Sequence, residues 1–360
     1  MKAIVNADHF DTALGKLKPV ASSGGTLPIL SCVLMEADGA ALRLTTSNLD
    51  TCLQIEIPCE KGAGSLCAPV AILAEAVKRF TGDIQIGLKG KALTLRNGGF
   101  SLSPTWLDAA EFPSRPFDAA HIAMSVFPAG NLARALSRVV GFVSEDEARY
   151  TLNGVHFRGL DGTLSVEATD GRRLLKVEVE SDIECDAIVP VEAVNRLIEL
   201  GGANEFSLGF TENELVAVGT SWKLASKLIE GNYPNTAQVI PGRESWNRSV
   251  IFPRAETVKA LGFVEIIGKR ADHTVRVTVE DGRLAFASSA PDIGETTAEV
   301  ETEQRLGKDP MTFGVNAQYF LDLLKAVDGD EVTIHLIDEV SPLSYSEEGV
   351  VSVLMPLRVA

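Results

Sequence analysis

An α+β fold of three tandem copies of one domain, each with two helices packed on antiparallel sheets, is predicted by two observations. The order helix, strands, helix, strands recurs at intervals of about 120 residues. Every copy also holds runs in which apolar and polar side chains alternate, the mark of a sheet with one buried face.

In chain order, each copy opens on an amphipathic stretch with apolar residues at three- and four-residue steps: His9 to Val20, Asn131 to Val143, and Arg254 to Ile267. A strand pair follows, its second member being Ala41 to Thr46, Thr163 to Ala168, and Arg283 to Ser288. The second helices are Pro69 to Phe80, Pro190 to Leu200 and Asn316 to Val327. Two of these open with proline, which the first turn of a helix tolerates. Turns at Thr81-Gly82-Asp83, Gly201 to Asn204 and Asp328-Gly329-Asp330 lead back into strands at Ile84, Phe206 and Val332. Corresponding points run from Leu42 to Leu164 to Leu284, and from Pro69 to Pro190 to Asn316. The Pro/Gly-rich stretches Pro113 to Pro116 and Pro241 to Ser245 separate the copies, which gives domains 1–118, 119–245 and 246–360. A length of 360 residues agrees, since one ordinary core does not serve so long a chain.

The net charge of −16 argues against tight nucleic-acid binding by the whole surface, but leaves room for a local basic patch. The six helical stretches carry a summed +4, so the rest of the chain holds −20. Arg134 and Arg138, one turn apart with no acid between, share a helix face. A less acidic helical layer against an acidic exterior suits a protein threaded by a polyanion. Head-to-tail joining of such subunits by one heterologous contact gives a closed ring or an open filament.

Cys32, Cys52, Cys59, Cys67 and Cys185 form no CxxC pair and no His/Cys ligand spacing, so neither a zinc site nor a disulfide framework is expected. No leader-like apolar region and no run of 18 apolar residues occurs, which predicts a cytoplasmic protein. An enzyme is a weaker reading. Asp170 with Arg173, or His9, His121, His156, His273 and His335, are the acid-base candidates, yet no nucleophile elbow, phosphate loop, HExxH or carboxylate pair accompanies them. No cofactor and no metal is expected.

Five stretches in order carry a resemblance: Thr26-Leu27-Pro28-Ile29-Leu30, Arg149-Tyr150-Thr151-Leu152-Asn153-Gly154, Ala168-Thr169-Asp170-Gly171-Arg172-Arg173-Leu174, Ser226 to Pro234, and Met355-Pro356-Leu357-Arg358. On these, across the whole length, the chain resembles the bacterial sliding clamp family, the beta subunit of DNA polymerase III. The resemblance implies a non-catalytic processivity factor for DNA replication, a head-to-tail homodimer closed into a ring around double-stranded DNA. It also implies a pocket between the second and third domains that takes short peptides of the replicative polymerase, the clamp loader and repair proteins.

Carried over by motif position, that pocket comprises Leu152, Thr169, Gly171, Arg172, Arg173, Leu174, Pro234, Gln238, Val239, Val353, Met355, Pro356, Leu357 and Arg358, with Tyr319 beside it. Apolar groups would give a deformable floor, and arginine and glutamine a polar rim. The resemblance further implies DNA-facing roles for Lys78, Arg79, Arg134, Arg138, Lys269 and Arg270, and a subunit interface joining Phe100 and Leu102 to Ile266 and Ile267. Departures are Arg172 where the family commonly has histidine, and Thr236 and Gln238 where tyrosine and arginine are frequent. The turn from Ser22 to Gly25 stands where many clamps have an arginine, and Thr151 and Glu192 replace frequent tyrosine and lysine. These exchanges motivate a second reading, an accessory or inhibitor-resistant clamp homologue with altered partner choice.

Overall fold

The computed structural model describes residues 1–22, 27–90, 92–113, 117, 122–306 and 309–358, and for 304–306 the backbone alone. Parts of the turn from Ser22 to Gly25 and of the Pro113 to Pro116 linker, the 118/119 boundary, and His121 lie outside the described residues. Among those described, six α-helices fall at the six expected places: α1 Ala7–Leu17, α2 Val70–Val77, α3 Asn131–Val139, α4 Val191–Gly201, α5 Arg254–Gly268 and α6 Ala317–Ala326. Three antiparallel sheets accompany them.

The ends differ from the expectation for local reasons. Asn6 caps α1, its side-chain oxygen accepting from Asp8 N at 3.0 Å and His9 N at 3.3 Å, so the helix begins ahead of His9. Asn316 is likewise the cap of α6 and not its first residue, accepting from Tyr319 N at 3.1 Å. Pro69 and Pro190 end the strands before α2 and α4, so the prolines stand one place ahead of the first turn. The run from Asn131 breaks at Val139 into a 3₁₀ turn over Val140–Phe142, where Gly141 and the β-branched pair Val139-Val140 weaken the helix and Phe142 is drawn into the core.

Two compact units result. The first takes residues 1–133 and 192–228, the second 134–191 and 229–360. In the first, a ten-stranded sheet runs from the edge strand Phe100–Leu102 through Lys2–Asn6 and Thr51–Pro69 to Trp222–Lys227, and ends at Met124–Phe127. Trp222 pairs with Ile55 and Ser226 with Thr51, so strands of the first and second copies share one sheet. In the second unit, a nine-stranded sheet begins at Cys185–Pro190, and the strand Arg173–Glu180 pairs with Val350–Leu354. A separate four-stranded sheet is edged by Gly294–Glu301 and Met311–Asn316. Each copy thus satisfies part of its strand edges with the next copy, an arrangement the repeat arithmetic does not reveal.

Helix faces follow the expected periodicity. In the first unit, Phe10, Leu14 and Leu17 of α1 are buried with Leu73 and Val77 of α2. The five cysteines are free thiols, four of them buried, and burial pushes the Cys67 thiol up to about 12. Beyond α2, the buried Asn97 ties the turn to the sheet. Its amide donates to Thr81 O at 2.7 Å and Asp83 O at 3.0 Å, while its oxygen accepts from Thr81 N at 3.3 Å. Asn97→Ala orphans these groups and is expected to cost roughly 1–3 kcal/mol, read as a lowered thermal transition.

Candidate peptide-docking site

The stretch Thr169 to Leu174 is a tight hairpin turn joining the strands Thr163–Thr169 and Arg173–Glu180. Asp170 Oδ1 accepts from Arg172 N at 2.8 Å and Arg173 N at 3.0 Å. Thr169 Oγ1 donates to Arg173 O at 2.6 Å and accepts from Gly171 N at 3.1 Å. Gly171 sits at φ +85°, where only glycine is unstrained. The turn therefore has the shape that Asp followed by Gly dictates.

Arg173 departs from the expected rim role. Its side chain is only 10% exposed. The guanidinium donates to Asp170 Oδ2 at 3.0 Å, to Asp322 Oδ2 on α6 at 2.7 Å, and to Gly141 O at 2.8 Å. It also lies 4.9 Å from the Phe142 ring centroid and 4.2 Å from that of Tyr319. Arg173 is a pillar locking the turn to α6, and Arg172 is the exposed cation of the turn. Tyr319 and Asp322, one turn apart on α6, present the same face to it. Nothing in the sequence pairs Asp322 with a turn 149 residues away.

The C-terminal stretch docks beside the turn. Arg173 faces Leu354 and Leu174 faces Val353 across the ladder, and Met355 N donates to Arg172 O at 2.9 Å. Met355 is 40% exposed, and Pro356 is half-buried. Leu174 and Val353, expected to line the pocket, are instead packed in the core, because both faces of the sheet are covered here and their neighbours Leu175, Ser352 and Leu354 are buried too. Leu357 exchanges both backbone hydrogen bonds with Gly314, 2.8 and 3.2 Å, which turns the chain away. Arg358 consequently lines a different cleft of about 410 Å³ with Arg276 and Glu295, apart from the other candidates.

Leu152 ends the 3₁₀ turn Glu147–Leu152 and is half-buried, its carbonyl accepting from Ser144 N at 2.9 Å. Pro234, Gln238 and Val239 are exposed on the segment that follows the strand Trp222–Lys227. That segment reaches the turn through Tyr233, whose hydroxyl accepts from Thr169 N at 3.0 Å, and burial pushes the phenol well above its ordinary value. A cavity of about 860 Å³ opens beside the turn, bordered by Arg149, Asp170, Arg172, Gln318 and Tyr319. All these groups belong to the second unit.

The basic candidates divide. Lys78, Lys269 and Arg270 are exposed and carry no ion pair among the described residues, while Arg79 pairs with Glu75 at 2.9 Å. Arg134 and Arg138 do share a helix face, but both reach Asp328, at 2.9 and 3.5 Å. Arg138 also donates to Ala326 O and is largely buried, so it is a packing group and not a free cation. Glu192 is occupied by Asn48, which donates to its two oxygens at 3.2 and 3.0 Å.

Phe100 is 62% exposed on the strand that edges the sheet among the described residues, with Leu102 half-buried beside it. On α5, Ile266 is 61% exposed and Ile267 is half-buried. Phe263, one turn before Ile266, is likewise exposed, at 54%.

Three family models together match nearly the whole chain: the N-terminal domain of the DNA polymerase III beta subunit over residues 1–116, its central domain over 127–235, and its C-terminal domain over 237–358. The chain is similar to the beta sliding clamp of Synechococcus elongatus, 27% identical with 99% of each chain covered. It is also similar to that of Caulobacter vibrioides, 27% identical with 100% of each covered. Among solved structures, the sliding clamp of Bartonella birtlesii bound to griselimycin aligns at TM-score 0.92 with 26% identity over 100% of both chains.

Proposed function

The chain belongs to the DNA polymerase III beta-subunit family, and from that membership we propose that it is a DNA sliding clamp, a processivity factor that encircles duplex DNA as a closed head-to-tail homodimer. It acts as a non-catalytic cytoplasmic subunit. No helix among the described residues is long and apolar enough to cross a membrane. Its domains are bounded at 118/119 and 245/246.

The observation that carries the docking reading is the meeting of the exposed Arg172 and Met355 at one hydrogen bond beside an open cavity. Short peptides of the replicative polymerase, the clamp loader and repair proteins dock there. Thr169, Gly171, Pro234, Gln238, Val239, Tyr319 and Pro356 surround them, and Leu152, Leu174 and Val353 give support from beneath. Leu357 and Arg358 anchor the C-terminal stretch to the four-stranded sheet. The griselimycin-bound Bartonella structure supports a ligand-accepting site in a protein of this family.

Duplex DNA is held without sequence preference by Lys78, Arg79, Lys269 and Arg270, with Arg134 at the margin, through weak salt-sensitive contacts that permit sliding. Phe100 and Leu102 of one subunit pack against Phe263, Ile266 and Ile267 of the next. Sedimentation at micromolar concentration is expected to give about twice 38.5 kDa, and a purely monomeric profile would count against ring closure. Loading onto primed circular DNA by the cognate clamp loader, scored as polymerase processivity, tests the function directly. Failure to extend processivity with a correctly folded dimer would overturn it.

A further inference from the structure

Outside the turn, one buried ionic cluster has no part in the function derived so far. His156 on the strand Gly154–Leu160 is buried with its Nδ1 2.8 Å from Glu167 Oε1 and its Nε2 2.8 Å from Asp186 Oδ1. With a carboxylate at each ring nitrogen, both contacts are hydrogen bonds only when both nitrogens carry a proton, that is, when the ring is an imidazolium. The satisfaction of this histidine therefore depends on a proton.

This cluster reaches the segment that carries Pro234, Gln238 and Val239. Tyr233 stacks on His156 with ring centroids 4.6 Å apart and planes at 19°. Thr236 Oγ1 donates to Glu167 Oε2 at 2.7 Å, and Ile229 N donates to Ile188 O at 2.9 Å. The same Tyr233 accepts from Thr169 at the start of the docking turn. We propose that His156, a cation clamped between Glu167 and Asp186, positions the 232–239 segment against the turn and so tunes peptide docking to pH. This inference rests on the docking reading above.

Loss of the proton leaves one carboxylate without its donor and removes the cation under Tyr233. For the buried Glu167 that is an uncompensated charge at the point where Thr236 is held. Arg158 on the histidine's own strand and Lys176 and Glu178 on Arg173–Glu180 line the cavity around the cluster, with Tyr233 above it. Burial of His156 favours losing the proton. The hydrogen bonds and charges of Glu167 and Asp186 outweigh it, so its pKa lies above the ordinary 6.5. A group raised in this way lends its full support below pH 6.5 and loses it as pH climbs through the higher folded-state value.

The test uses full-length protein and a synthetic peptide copying the C-terminal residues of the organism's replicative polymerase. Affinity is expected to fall about fivefold, the low end of coupling between linked sites, as pH rises through the His156 transition. Hydrogen-exchange protection across 229–240, taken relative to the intrinsic rate at each pH, is expected to fall over the same range. His156→Gln cannot titrate and should flatten both profiles. Asp186→Asn, at an exposed carboxylate, should fold normally and move both transitions to lower pH. Profiles in both variants that match wild type would overturn the proposal. A peptide that binds at no pH would sink the docking reading alone, since hydrogen exchange still decides whether His156 holds the segment.

Discussion

Arg173→Ala is expected to lower the unfolding free energy by about 3–5 kcal/mol, the loss typical when one partner of a buried ion pair is removed. Asp170 is left without its cation, Asp322 keeps only Lys325 at 3.7 Å, and Gly141 O loses its donor. The rings of Phe142 and Tyr319 each lose the guanidinium that lies over them. Arg173→Lys keeps the charge but not the fork that serves three acceptors, and should recover only part of the loss. Denaturant unfolding of both variants, with Asp322→Asn completing a double-mutant cycle, measures the coupling. A loss below 1 kcal/mol for the alanine variant would return Arg173 to the exposed-rim role expected from sequence.

The second large effect concerns docking. Met355→Ala is expected to weaken binding of the polymerase C-terminal peptide by about 2 kcal/mol, near 30-fold, the range of an anchor at the centre of an interface. Met355 is half-exposed next to Arg172 and contributes little to the core, so the effect should appear in titration calorimetry with an unchanged melting temperature. Leu174→Ala makes the contrast. Its side chain is wholly buried, so its cost should fall on stability, about 2–5 kcal/mol, before it falls on affinity. Unchanged affinity in Met355→Ala would remove the C-terminal stretch from the docking site.

How much of this was legible in the sequence depends on the range of the forces involved. Helix α1 was readable because Phe10, Leu14 and Leu17 sit at helical spacing. The turn at Asp170-Gly171 was readable because its hydrogen bonds join residues at most four apart. Arg172 and Met355, distant in sequence, were placed together by family resemblance, and the ladder Arg173↔Leu354 supplies the geometry.

Long-range pairing escaped. The sharing of one sheet by Ile55 and Trp222 has no local signal, since an unpaired strand edge accepts any partner of matching register. Arg134 and Arg138 read as a free basic face because Asp328, far along the chain, is invisible to a helical count. Arg173 read as a rim cation for the same reason.

By itself the sequence determined the triplicated α+β plan, the six helices, the turn at Asp170-Gly171 and the family, because those follow from periodicity, turn chemistry and motifs carried on short segments. Only the tertiary structure decided which charges are spent and which are free. It made Arg173 a pillar and Arg138 a packing group and set His156 between two carboxylates, leaving Arg172 and Met355 exposed. Whether a charge is available depends on acids and carbonyls brought within 3 Å or so by folding. No pattern along the chain encodes that distance.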